Sequence, residues 1–250
     1  MSVTSAKRKE GGVGEFIRLL IHAGIIALVI RTLFFQPFNI PSGSMKPTLL
    51  VGDYLFVSKF TYGYTHYSLP LSPPLFSGRV MVLNKPERGD VVVFRLPKDD
   101  STDYIKRVIG LPGDRIQMIQ GVLHINGQAV QRVRVDDFID HEPGRRPQRV
   151  RQWRETLPNG VSYNTLELPY NLQADNTSVY NVPPDHYFMM GDNRHNSTDS
   201  RFPQVGYVPF QNLIGRAQVI FFSVAEGERA WEIWRWPWTV RWTRLFSLVR

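Results

Sequence analysis

Three stretches of this chain concentrate side chains that could do chemistry. The first is a turn, residues 41–48, in which two serines and a glycine lie between Pro41 and Pro47. Because the prolines fix φ and remove two backbone donors, neither a long helix nor a central strand continues through the turn. Gly43 permits a backbone shape that a Cβ would forbid, directly before Ser44. The turn fits an exposed serine nucleophile, and it equally fits a simple serine turn without chemistry.

The second stretch contains a lysine that could activate the serine. Lys106 lies among Tyr104, Ile105, Val108 and Ile109 in a strand-like run. An apolar environment disfavours the charged ammonium, so it lowers the lysine pKa and lets the amine act as a general base near neutral pH. Strand alternation alone leaves open whether the Lys106 side chain points into the protein or into solvent.

The third stretch is a polar loop, residues 191–201, whose side chains can hydrogen-bond to one another and to their own backbone. It contains His195, the histidine best placed to be an alternative base for a serine nucleophile. The sequence has no HExxH motif, no histidines paired at metal-ligand spacing and no GxGxxG motif before a helix, so it predicts no metal and no cofactor. The lack of cysteine excludes a thiol nucleophile.

The elements that must position these stretches are mostly β. Short β-branched and apolar runs, separated by turn residues, recur across residues 51–222. After residue 36 no run of ten or more residues has clear helical periodicity. We predict a catalytic β core at residues 37–114 and 184–226, interrupted by a smaller inserted β lobe at residues 115–183.

A hydrophobic segment at residues 15–36 precedes the first turn and is about as long as a bilayer-spanning helix. A cleaved signal peptide and a buried soluble helix are the alternatives. Cleavage requires small residues after the apolar core, whereas residues 31–38 are mostly bulky. The lysines and arginine of residues 1–14 favour a cytoplasmic N-terminus. We therefore predict a cytoplasmic tail at residues 1–14 and one uncleaved membrane anchor, with the rest of the chain outside.

The last segment, residues 227–250, is rich in tryptophan and arginine. It is too charged for a second span, and Pro237 interrupts it. Alternating Trp and Arg suit the headgroup zone of a membrane, so we predict an interfacial tail; packing of these rings on the β core is the alternative. The net charge of +8 fits contact with anionic lipid, and without a zinc-finger, homeodomain or RRM motif the sequence does not predict nucleic-acid binding.

Taken together, these stretches resemble the ordered motifs of the bacterial type I signal peptidases. The matching runs, in chain order, are PSGSM with PTL at 41–49, RGDVVVF at 88–94, YIKRVIGLPGD at 104–114, and GDNR, NS and DSR within 191–201. Each run alone is modestly specific, whereas the set in this order is highly specific. One departure is His195, where the family often has an acidic residue.

The resemblance implies a β-rich catalytic core like that of signal peptidases and self-cleaving repressor-type proteases, and a Ser–Lys dyad. Ser44 would be the nucleophile and Lys106 the general base. The Ser44 backbone N–H and the Ser42 hydroxyl would form the oxyanion hole. Ser197 would orient the lysine amine. The supporting residues would be Gly191, Asn193, Ser197, Asp199 and Arg201. The shallow apolar substrate pocket would be formed by Phe38, Ile40, Met45, Leu49, Tyr104 and Ile105.

The same resemblance implies the substrate and the location. The substrates would be secretory preproteins, cleaved after small-x-small signal-peptide sites, and the other partner would be the lipid bilayer. We expect a monomer in the bacterial cytoplasmic membrane, with its catalytic domain on the outer or periplasmic face. Two other interpretations of the sequence are a self-cleaving protease and a non-enzymatic domain. A self-cleaving repressor-type protease would have a DNA-binding domain instead of a span, and a non-enzymatic membrane-anchored β domain would need no base for its serine.

Overall fold

The structure is a computed structural model that describes residues 12–69, 72–73, 75–168 and 173–250. Residues 1–11, most of the predicted cytoplasmic tail, lie outside the described residues, as do residues 169–172 of the predicted inserted lobe. The described chain is mostly β, as predicted from the sequence, and a single long helix comes first.

The N-terminal helix α1 (Val13–Leu33) is apolar around its circumference, and the rest of the protein buries none of its residues. Its most apolar window has a mean hydropathy of 2.0. At 1.5 Å per residue the helix is about 30 Å long, so its length and composition allow it to cross a bilayer. It ends at Leu33, before the predicted residue 36, because Phe35 already pairs with Ser58 in the first pair of strands.

Fifteen strands follow α1 in the described part of the chain. They are β1 (Phe35–Asn39), β2 (Asp53–Ser58), β3 (Val91–Arg95), β4 (Asp103–Gly110), β5 (Arg115–Ile119), β6 (Val122–Ile125), β7 (Gln128–Ala129), β8 (Gln131–Asp140), β9 (Gln148–Thr156), β10 (Ser162–Glu167), β11 (Tyr180–Asn181), β12 (His186–Met190), β13 (Val208–Pro209), β14 (Leu213–Ser223) and β15 (Ser247–Leu248). A short helix, α2 (Trp236–Thr239), precedes β15.

The largest sheet has the order β1-β2-β14-β3-β4-β12-β13, with β15 also paired to β14. Its neighbouring strands are all antiparallel. Strands β5 to β11 lie between β4 and β12 in the chain, and they form two smaller sheets with the orders β10-β9-β8 and β11-β5-β6-β7. Because β4 and β12 are neighbours in the large sheet, the intervening strands are an insertion between two paired strands.

Side-chain alternation in β3 explains how the large sheet packs. Val91 and Val93 face one core cluster, which also contains Met45 and Leu49 of the serine turn. Val92 and Phe94 point to the opposite face and join a second cluster. The sheet is therefore covered on both sides at β3, and the serine turn is held against one face by its apolar residues.

The C-terminal segment packs on the large sheet on one side and is open on the other. β15 pairs with β14, and the ring of Trp236 lies 5.0 Å from that of Phe222. The remaining tryptophans of this segment point outward with at least half of their surface exposed; they are Trp231, Trp234, Trp238 and Trp242. Packing on the β core, one of the two interpretations of the tail, is therefore seen on one side, whereas docking of the exposed side on a membrane stays a prediction.

A buried carboxylate ties this segment to the core. Asp53 is fully buried and accepts hydrogen bonds from Arg244 at 2.5 and 3.1 Å and from Ser223 Oγ at 2.7 Å. Replacing Arg244 with Met leaves this buried charge with a weaker set of partners, so we expect the free energy of unfolding to fall by about 2 kcal/mol.

The measurement is urea denaturation in detergent, with Arg235→Met as the matched control. Arg235 also pairs with glutamates of the tail, but its side chain is 48% exposed, so its loss should change stability by no more than about 0.5 kcal/mol. Equal losses of stability in the two variants would contradict the role given to Asp53.

Candidate active site

The serine turn contains a short 3₁₀ turn (Gly43–Met45) that is held by core packing and by two hydrogen bonds from the polar loop. The side chain of Met45 is completely buried in the core cluster and anchors the turn to the sheet. The backbone N–H of Asn193 donates to Ser44 O and its Nδ2 donates to Gly43 O, both at 3.1 Å. The Ser44 side chain remains directed at the adjoining cleft.

Gly43 is needed for space rather than for an unusual φ. Its φ lies outside the left-handed region, contrary to the sequence interpretation. A Cβ built on Gly43 would lie 3.2 Å from Lys46 Cε, so the missing side chain makes room for Lys46. Lys46 is itself buried and pairs with Asp140 of the insertion at 2.7 Å and with Glu226 at 3.3 Å. Burial lowers the pKa of Lys46, but these carboxylates outweigh it and raise the pKa above its ordinary value.

Lys106 points inward and meets the serine. Its Nζ donates to Ser44 Oγ at 2.8 Å and to the carbonyl oxygen of Ile105 at 2.9 Å. The residue is 4% exposed, which answers the question that strand alternation left open. Burial lowers the pKa of Lys106 to about 8, although the charges of Asp199 and Asp192 oppose the shift. A neutral amine is therefore accessible at mildly basic pH.

Two hydrogen-bond donors, one on the backbone and one on a side chain, lie beside the Ser44 hydroxyl. The Ser44 N–H is at the start of the 3₁₀ turn, where the turn itself supplies no acceptor, and it bonds to none of the described residues. The Ser42 hydroxyl is 3.4 Å from Ser44 Oγ and belongs to an exposed residue. These positions suit an oxyanion hole.

The polar loop contacts the serine turn closely because it begins with a glycine. A Cβ on Gly191 would lie 2.6 Å from the carbonyl oxygen of Ser44 and 2.2 Å from Ser197 Oγ. The Gly191 N–H donates to Asp199 at 3.0 Å, and Arg201 holds both oxygens of that carboxylate at 2.8 and 2.9 Å. Burial raises the pKa of Asp199, but the Arg201 guanidinium outweighs it and holds the pKa below its usual range.

The contact predicted between Ser197 and the lysine amine is not formed. Ser197 Oγ is buried beside Gly191 and makes no hydrogen bond to Lys106. The Lys106 amine donates instead to the carbonyl oxygen of Ile105, its neighbour on the same strand. His195 is also distant from this chemistry: its Nδ1 accepts from the Leu168 N–H at 2.9 Å, and its Nε2 bonds to Asp175 at 2.8 Å.

The cleft beside Ser44 has a volume of about 390 Å³ and differs from the predicted pocket. Of the six predicted pocket residues, Tyr104 and Ile105 line it. The other four do not line this cleft: Ile40, Met45 and Leu49 are buried in the core cluster, and Phe38 packs half-buried against that cluster. Their part in shaping the substrate pocket stays a prediction.

A buried ion pair that the sequence interpretation missed ties the three stretches together. Arg107 and Asp192 are almost completely buried and form two hydrogen bonds at 2.8 and 2.6 Å. Thr48 of the serine turn donates to the same carboxylate at 2.5 Å. Arg107 directly follows Lys106, and Asp192 directly follows Gly191. Their opposite charges, each next to a motif residue, were the sequence signal from which this ion pair could have been predicted.

Comparison with known proteins places this site in a family. The model of "Signal peptidase, peptidase S26" matches residues 13–222, which is most of the chain. The chain belongs to this family. A curated signal peptidase I of Rickettsia conorii is 48% identical over 206 residues, covering 79% of this chain and 75% of that protein. The signal peptidase I of Rickettsia prowazekii is 47% identical over 231 residues, covering 89% of this chain and 83% of that protein.

The family assignment confirms the resemblance described from the sequence, and it makes this chain a peptidase of the S26 family. A solved signal peptidase I from Enterococcus faecalis is 24% identical and covers 53% of this chain and 97% of its own, with a TM-score of 0.32. That overlap is too low for a comparison of the two folds.

Proposed function

We propose that this S26 peptidase is a membrane-anchored serine endopeptidase that removes N-terminal signal peptides from exported preproteins. The observation that carries the proposal is the 2.8 Å hydrogen bond between Lys106 Nζ and Ser44 Oγ. A hydroxyl and a buried amine at this distance can exchange a proton directly, so no histidine is required.

The reaction proceeds through an acyl-enzyme. The neutral Lys106 amine removes the proton of Ser44 as Oγ attacks the scissile carbonyl. The Ser44 N–H and the Ser42 hydroxyl donate hydrogen bonds to the oxyanion, where one donor contributes about 3 kcal/mol to lowering the barrier. The Lys106 ammonium then returns the proton to the leaving amine. Water, deprotonated by the same lysine, hydrolyses the ester and releases the signal peptide.

The substrate binds as an added strand along β4. Residues 103–106 of β4 pair with β3 on one side, whereas the partnership with β12 begins only at Arg107. The free edge beside Lys106 can therefore accept main-chain hydrogen bonds from an extended peptide. Tyr104 and Ile105 line the cleft at this edge, and the core residues behind the serine turn limit its depth. Such a site favours small side chains before the scissile bond.

The membrane anchor holds the active site close to the bilayer surface. α1 is joined to β1 by one residue, Phe34, so the β body lies immediately outside the bilayer that α1 crosses. The outward tryptophans of the C-terminal segment, among them Trp231 and Trp238, insert their rings in the headgroup zone. With a cytoplasmic N-terminus, this arrangement puts the monomeric catalytic body on the outer face of the bacterial cytoplasmic membrane.

A serine-directed acylating probe tests the nucleophile. We expect one covalent adduct per chain, located by tandem mass spectrometry on Ser44, because this is the only hydroxyl within the described residues that is hydrogen-bonded to a buried amine of low pKa. Ser44→Ala should give no adduct and no cleavage of a preprotein. Ser42→Ala should still be acylated at Ser44, with cleavage reduced about 10²-fold by the loss of one oxyanion donor.

These variants separate the enzyme from a non-enzymatic anchored domain. A binding domain has no reason to activate one serine among many, so acylation spread over several hydroxyls, or none at all, would contradict the proposal. Adduct formation at Ser44 without cleavage of any preprotein would support the Ser–Lys dyad but contradict the proposal that preproteins are the substrates.

A further inference from the structure

A second cavity lies next to the active-site cleft, where α1 ends. Its volume is about 370 Å³. Three cations line it, namely Arg31 from the last turn of α1, Lys59 directly after β2, and Arg95 at the end of β3. The carboxylates of Asp100 and Asp103 complete the charged lining. Asp103 also lines the cleft of the candidate dyad, so the two cavities share a wall.

The cavity contains an excess of positive charge, three cations against two carboxylates, or +1. Both carboxylates are engaged, because Arg95 lies 3.2 Å from Asp103 and the Tyr67 hydroxyl donates to Asp100 at 2.8 Å. Arg31 and Lys59 form no ion pair with any residue that the structure describes. Among the described residues, the two cations nearest the membrane helix therefore have no direct ion-pair partner, and Asp103 acts on Lys59 only at longer range.

Of these two cations, Lys59 is the one that is buried. It is 2% exposed, and among the described residues its ammonium donates only to the Ser68 carbonyl, at 2.6 Å. An ammonium has three N–H donors, so this single hydrogen bond leaves two of them without a partner among the described residues. Burial lowers the pKa of Lys59 to about 8, the neighbouring Arg31 charge lowers it further, and Asp103 opposes the shift. A buried cation beside another cation is costly unless an anion lies between them.

We propose that this cavity binds the phosphate group of an anionic phospholipid, with Arg31, Lys59 and Arg95 as its ligands. Guanidinium groups bind phosphate oxygens in a bidentate fashion, and an ammonium adds a compact point charge. The inference rests on the proposed membrane placement of α1, which puts Arg31 at headgroup level. The exposed apolar side chains of α1 that precede Arg31, among them Ile26 and Ile30, suit the acyl chains beneath that headgroup.

Lipid binding is measured on the full chain in non-ionic detergent micelles by native mass spectrometry, titrated with phosphatidylglycerol or phosphatidylcholine. We expect phosphatidylglycerol to bind the wild type more tightly. Lys59→Met should weaken that binding about tenfold or more, the loss typical of one charged hydrogen bond. Lys98→Met is the matched control, because it removes the same charge from an exposed residue outside the cavity and should leave binding unchanged.

Arg31→Gln provides a second variant that keeps the test independent of buried packing, since Arg31 is exposed; it should weaken phosphatidylglycerol binding in the same direction. Equal losses in Lys59→Met and Lys98→Met, or equal binding of the two lipids, would overturn the proposal. Inorganic phosphate that binds as tightly as phosphatidylglycerol would assign the cavity to a soluble anion and reject the lipid. Performing the titration on Ser44→Ala as well separates this result from any failure of the proposed peptidase activity.

Discussion

Replacing Lys106 with Met is expected to reduce kcat/KM for preprotein cleavage by about 10⁴-fold or more, the loss typical of removing one member of a nucleophile–base pair. Met retains the length and apolar character of the side chain, so the 4% exposed site stays packed. What is lost is the amine that contacts Ser44 Oγ at 2.8 Å. The measurement is steady-state cleavage of a purified preprotein, with folding checked by circular dichroism.

The pH profile adds a readout that a structural role would not produce. Because the neutral amine is the base and burial lowers its pKa to about 8, wild-type kcat/KM should rise through pH 8 and level off above it. Below that pH it should fall about tenfold per unit. The residual activity of Lys106→Met should not show this rise with pH, which is the acidic limb of the profile.

Two controls make the assignment specific. Lys59 also has a pKa lowered to about 8 by burial, yet Lys59→Met should retain the limb because Lys59 does not contact Ser44. His195→Ala should retain near-normal turnover, since both ring nitrogens bond to Leu168 and Asp175. A limb that disappears with Lys59, or turnover that disappears with His195, would reject Lys106 as the base.

The second large effect is expected for Gly191→Ala, which should lower kcat about 10²-fold, as a displacement of about 1 Å in a catalytic group does. The added Cβ would lie 2.6 Å from the carbonyl oxygen of Ser44, and backbone cannot rotate out of the way as a side chain can. The turn or the loop must move, and Asn193, which fixes Ser44 from the loop, moves with it. We expect kcat for preprotein cleavage and the rate of Ser44 acylation by the probe to fall by similar factors.

Gly113→Ala is the matched control for this substitution. Gly113 has a φ of +89° and no atom near its missing Cβ, so alanine there strains the backbone without touching the site. We expect it to cost about 1 kcal/mol of stability and to leave kcat unchanged. If Gly191→Ala kept full turnover, the close approach of the loop to the serine turn would have no part in positioning the nucleophile.

The sequence predicted the fold class well where local rules apply. β-branched runs and turn residues predicted the strands, whereas the apolar neighbours of Lys106 allowed a lowered pKa but left the direction of its side chain open. The apolar residues around Ser44 were harder. Met45 and Leu49 have the side chains of a pocket lining, but whether a residue faces a cleft or the core depends on the tertiary position of its turn, so the sequence alone does not predict that both are buried in the core cluster.

Long-range polar partners could not be predicted from one sequence. Arg107 and Asp192 are 85 positions apart, and no periodicity connects them. Lys46 pairs with Asp140 across 94 positions for the same reason. The hydroxyl of Ser197 shows a further limit, because its position in the chain is compatible with a bond to Lys106, whereas the rotamer that would form it is decided by the packing around Gly191.

The insertion between β4 and β12 also has a consequence for how this enzyme can change over evolution. Its two ends meet, because Arg115 pairs with Asn181 and the Val182 N–H donates to Asp114 O at 2.8 Å. Once those ends are joined, β4, which contains Lys106, and β12, which leads into the polar loop, are connected as if by a short turn. Doubling the length of the enclosed chain then costs only about 0.6 kcal/mol in loop entropy. Turns such as residues 141–147 can therefore lengthen, shorten or acquire new binding surfaces while Ser44 and Lys106 keep their distance.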